Sequence, residues 1–148
     1  MKEDPFGDLT NWGAVLDIVD EMADAGKLSE CQPGLIRILR YKGNWRLREE
    51  VLKRAGDIQS PSHELICQVL NILDDDNTYY DARILASDAL IQMLKNIQDG
   101  LGGEINMSVR KVAERLRATP HPPIFDNTLT KLYLEVCLLE RKKELINQ

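Results

Sequence analysis

The run LDDDNTYYDAR, residues 73–83, sets three aspartates beside Asn77 and Thr78 and raises the question of a calcium loop. Such a loop needs oxygens at positions 1, 3 and 5, glycine at 6 and a bidentate glutamate at 12. Counted from Asp74, positions 3 and 5 are Asp76 and Thr78, but position 6 is Tyr79 and position 12 is Leu85. The sharp turn and the closing carboxylate are both missing. The run reads instead as a polar turn, in which Asp76, Asn77 or Thr78 caps the helix that follows.

Other chemistry finds as little support. His63 and Cys67, four apart on one helix, make half a zinc site, while Cys31, His121 and Cys137 form no CxxC or HxxxH pair. The ExxH element of di-iron bundles is absent. His121 stands between prolines in TPHPP, residues 119–123, a stiff loop ill suited to a general base. DGLGG, residues 99–103, lacks the lysine and the preceding strand of a phosphate loop. The expectation is a protein with no catalytic residues, metal, cofactor or small-molecule substrate.

The remaining chemistry is that of surfaces. Residues 31–60 carry seven Lys/Arg against three Asp/Glu, between acidic blocks at 1–30 and 61–104 with two against eight each. Within the basic block, RILRYKGNWRLREEVLKR, residues 37–54, interleaves cations with Tyr41 and Trp45, a mixture that suits phosphate contacts and base stacking. Glu49, Glu50 and the acidic flanks oppose a nucleic-acid backbone, and the net charge of −5 does so for the whole chain.

These residues must be positioned by helices. Leu, Ile and Ala dominate the apolar set and aromatics make up 5 %. Trp12, Val15, Leu16, Val19, Met22 and Ala23 mark one helical face, closed by Gly26. The other face is an acidic ridge of Asp17, Asp20, Glu21 and Asp24. LIRIL, residues 35–39, is a short helix broken by YKGN, after which Trp45, Leu47, Val51, Leu52, Ala55 and Ile58 resume the spacing. Ser60 and Pro61 read as N-cap and first residue of a helix with Leu65, Ile66, Val69, Leu70 and Leu73 inward. Residues 79–98 are apolar round most of their circumference and belong at the centre of the molecule. Further helices are expected at 104–118 and 127–146, and no strand.

At 148 residues the chain is most simply one domain, residues 1–148. Nothing approaches a membrane span, the N-terminus has no apolar leader, and three dispersed cysteines fit a reducing, cytoplasmic setting.

The chain also repeats itself. Ile38-Leu39 recurs as Ile72-Leu73, Leu47-Arg48 as Ala82-Arg83, and Val51 and Ala55 as Ala86 and Leu90, at offsets of about 34 residues. A third echo, Ser108 to Ala113, repeats the start of the longer helix. LIRILRYKGNWRLREEVLKRAGDI and VLNILDDDNTYYDARILASDAL resemble HEAT repeats of the short bacterial type. The resemblance implies an all-α fold: a short right-handed α-solenoid of two or three antiparallel helix pairs. Its units would be about 33–58 and 61–98, with terminal helices about 9–25 and 104–146 as caps. It also implies that Arg48 and Arg83 contact neighbouring turns, and that the second helices line a binding face. On that face the apolar seam leaves Arg46, Glu50, Lys53 and Arg54 on one helix, and Asp81, Asp88, Gln92 and Lys95 on the next. Ser108 marks where a third could begin. A mixed surface of this kind suits a protein partner of complementary pattern. The alternative is nucleic acid on residues 37–54, as in HEAT-like solenoids related to DNA glycosylases.

Overall fold

The computed structural model describes residues 3–97 and 102–146, and every regular element among them is helical. Seven α-helices follow one another: α1 (Trp12–Asp24), α2 (Gln32–Arg40), α3 (Trp45–Ala55), α4 (His63–Asp74), α5 (Tyr80–Lys95), α6 (Gly102–Arg117) and α7 (Pro123–Ile146). A 3₁₀ turn, Leu28–Cys31, leads into α2. The expected DGLGG turn lies largely outside the described residues, and α6 already begins within it at Gly102.

Local chemistry accounts for the boundaries. Gly26, at φ +69°, closes α1 in the left-handed conformation. Lys27 N–H then reaches the Met22 carbonyl at 2.8 Å and Gly26 N–H the Ala23 carbonyl at 3.0 Å, the paired bonds of a Schellman end. The Asn44 side chain accepts from Arg46 N–H and starts α3. Two expected starts shift. The cap of α4 is Ser62, accepting from Leu65 N–H at 3.1 Å, and not Ser60. The buried Gln32 explains the delay: its Nε2 donates to the Ser60 carbonyl and its Oε1 accepts from Ser62 N–H, holding this backbone off the helix. The last helix begins at Pro123 rather than near Asn127, because proline at the first helical position loses no intrahelical bond.

Packing follows chain order. Each of the pairs α2/α3, α4/α5 and α6/α7 packs together; α2 lies on α4 and α4 on α6, while α3 lies on α1 and α5, and α5 on α7. α5 therefore has three large neighbours and buries Ala82, Arg83, Ala86, Ser87, Ala89, Leu90, Met93 and Leu94. The buried side chains form one cluster from Phe6 to Val136. One placement differs from the repeat: Ser108 lies inside α6, which packs on α4, so the third member of the α3–α5 row is α7.

Candidate interaction surface

The three aspartates of the 73–83 run diverge. Asp74 Oδ1 takes Arg115 of α6 at 2.6 Å, and Asp76 lies 3.6 Å from Arg83. Asp75 turns inward on its own loop, accepting from Asn77 N–H at 2.9 Å and the Thr78 hydroxyl at 2.8 Å. The Thr78 and Asn77 bonds hold the Asp75 carboxyl below its ordinary range. None of Asp76, Asn77 and Thr78 caps α5; the N-cap position is Tyr79, which makes no side-chain cap bond. Among the described residues no three His, Cys, Asp or Glu side chains gather to hold a metal. Among the described residues His63 reaches only the Cys67 sulfur, at 3.8 Å. Both nitrogens of His121 are taken, by the Tyr80 hydroxyl at 3.1 Å and the Thr119 hydroxyl at 2.8 Å. Burial pushes the Cys31 thiol up to about 11, far from a reactive thiolate.

The expected partner-facing residues lie on α3 and α5, which pack side by side. Arg46 and Lys53 are exposed on α3, and Asp81, Asp88, Gln92 and Lys95 on α5. Glu50 and Arg54 are half-buried, and Arg54 is spoken for. It reaches Glu50 and Asp20 at 3.4 Å each and Asp24 at 4.0 Å, which ties α3 to the acidic ridge of α1. Lys95 extends to Glu135 of α7 at 3.8 Å. Asp88 is exposed by area, yet loss of water beside its carboxyl raises its pKa, with Lys131 of α7 acting in the opposite sense. Lys53 and Asp81 have no ion-pair partner among the described residues.

Arg48 and Arg83 take different positions. Arg83 is buried; its Nε–H donates to the Leu73 carbonyl at 2.8 Å, and its guanidinium lies 4.6 Å from the Phe125 ring centre of α7. Arg48 is half-buried near Asp75 and Tyr79, and its Nε finds no hydrogen-bond acceptor among the described residues.

A feature that the apolar spacing misread lies at one end of these helices. Trp12 and Trp45, counted in the apolar spacing of their helices, are 46 % and 55 % exposed, and Tyr79 is 40 % exposed. Trp45 and Tyr79 meet edge to face, centroids 6.4 Å apart at 84°, and Arg46 stands 5.7 Å from the Trp45 ring centre. Trp12 and Trp45 line one open groove of about 320 Å³ with Gly43, Asn44 and Arg46. A signal for this was present: each of three helices starts with an aromatic after a polar turn, in TNW, GNW and NTYY. Position at a helix start does not by itself decide exposure: Tyr80 packs on Phe125 of α7, centroids 5.0 Å apart, while Tyr79 beside it faces solvent.

No protein-family model matches the chain, and no curated protein or solved structure is significantly similar to it. No helix among the described residues is long and apolar enough to cross a membrane.

Proposed function

We propose that this protein is a non-catalytic, cytoplasmic protein-binding module, a short right-handed α-solenoid of HEAT-like pairs. The pairs are α2/α3 and α4/α5, with α6/α7 as a third, and the partner docks across the second helices α3 and α5. Packing of each helix mainly on neighbours one or two places along the chain supports the solenoid reading. The observation that carries the binding reading is the exposed Trp45–Tyr79 pair, which joins α3 to α5 beside Arg46. Solvent-facing aromatics next to an arginine are the composition of interface anchors. Lys53 on one helix and Asp81 on the other would set the register of the partner.

Nucleic acid on residues 37–54 is the weaker reading, for a specific reason. Arg37 is bound to Asp4, Arg54 to three carboxylates, and Arg48 is half-buried, so three of the segment's seven cations are withdrawn from phosphates and Arg40, Lys42, Arg46 and Lys53 remain exposed. Affinity capture from the native extract with wild type, Trp45→Ala/Tyr79→Ala and Lys53→Glu tests the proposal. A specific protein retained by wild type and lost by both variants supports it. Retention of nucleic acid instead, released steeply by salt, would favour the alternative.

A further inference from the structure

α7 is amphipathic in a way its place in the fold does not use. Phe125, Leu129, Leu132 and Val136 are buried. One flank meets α5 through Glu135–Lys95, and the other meets α6 through Arg110–Glu140 at 3.0 Å. The opposite side carries Lys131, Leu134, Leu138, Arg141 and Leu145, spaced 3, 4, 3 and 4. Leu134, Leu138 and Leu145 are 56 %, 50 % and 67 % exposed. That spacing is the seam of a two-helix coiled coil.

We infer that this seam pairs with the same seam of a second copy, antiparallel about a two-fold axis midway between Leu139 and Glu140. In that register Leu134 lies opposite Leu145 of the second copy, and Leu138 lies beside Arg141, whose stem covers the leucine while its charge reaches water. Glu135 then faces Lys142 of the second copy, so the flanking charges are complementary where the apolar layers coincide. A parallel pair would instead stack Arg141 on Arg141 and Lys131 on Lys131. The antiparallel contact is isologous and closed, the commonest symmetry of soluble oligomers. With three leucines per copy it is small, so dimerisation is weak and concentration-dependent. The inference stands independently of what α3 and α5 bind.

Sedimentation velocity on the intact protein, from low micromolar to about 0.5 mM, tests the inference. The wild-type mass should rise from the 16.9 kDa monomer towards twice that value. Leu134→Glu/Leu138→Glu, at exposed positions, should keep its circular dichroism and raise the dissociation constant at least about tenfold. In a Cys137→Ser background, Leu134→Cys/Leu145→Cys should form a disulfide-linked dimer under mild oxidation faster than Leu138→Cys alone. A wild type that stays monomeric throughout, or growth beyond the dimer, overturns the inference. So does association unaffected by the two glutamates, or faster cross-linking through Leu138→Cys.

Discussion

Arg83 is a cation in the interior, 3 % exposed at its side chain, and its nearest carboxylate, Asp76, is too far at 3.6 Å for a good hydrogen bond. Its charge is met instead by the Leu73 carbonyl and by the ring faces of Tyr80 and Phe125. Lysine has the charge but not the plane. Arg83→Lys is therefore expected to lower stability by about 2–4 kcal/mol in urea unfolding. Asp4 is a surface counterpart. It takes Arg37 through bonds of 2.6 and 2.9 Å, and the Arg37 hydrogen bond is the main cause that holds its carboxyl below the ordinary range, against desolvation. A depressed folded pKa contributes stability that is present above the unfolded value of about 3.9 and lost as pH falls through the folded one. Asp4→Asn should accordingly flatten the acid side of the melting-temperature profile. At neutral pH the loss should stay below about 1 kcal/mol, because both partners are about a third exposed or more.

Among the elements, α5 was the most legible in the sequence: a stretch apolar round most of its circumference has to be packed on several sides, and it is. Leu90, fully buried there, should cost about 2–5 kcal/mol on truncation to alanine, and a loss below about half a kilocalorie would contradict the packing. Less legible were features set by contacts distant in sequence. Nothing local in SPSH tells Ser62 from Ser60; the choice is made by Gln32, some thirty residues away. Nor did the pattern reveal that the segment before α1 is docked, with Phe6 buried over Gly34 of α2. A Cβ at Gly34 would sit 2.7 Å from the Phe6 ring and 2.9 Å from Asp4 Oδ1. Alanine there gains up to about 1 kcal/mol of helix propensity. Displacing a packed aromatic costs about 1–3 kcal/mol, so Gly34→Ala should be net destabilising in thermal melts and should loosen the Asp4–Arg37 bonds.

At the scale of the molecule, charge patterning placed the eight polar residues on α3 and α5 but could not show which of them were already paired. Arg54 serves α1 and Lys95 serves α7, so their reversal would mix folding with binding. Lys53→Glu and Asp81→Lys avoid that confusion. Neither reversal breaks an ion pair among the described residues, but Lys53 lies in the last turn of α3 and Asp81 in the first turn of α5, so each should cost about 0.5–2 kcal/mol in the melt through its helix dipole and should slow association with the captured partner. The exposed Trp45–Tyr79 pair was hard to read for another reason: helical spacing assigns an aromatic to a face, and only the place of these two directly after the polar turns GN and NT marks where the neighbouring cover ends. EDTA should leave the melting temperature unchanged, since Asp74, Asp75 and Asp76 face three different ways.

The near-neighbour packing has a consequence for how the chain is made. α3 needs principally α1, α2 and α5; α5 needs α3, α4 and α7. As the polypeptide leaves the ribosome, each new helix finds its surface already laid down by the one or two before it. Short sequence separations between contacting parts favour quick folding. Synthesis itself can therefore deliver these helices in order, from α1 towards α7.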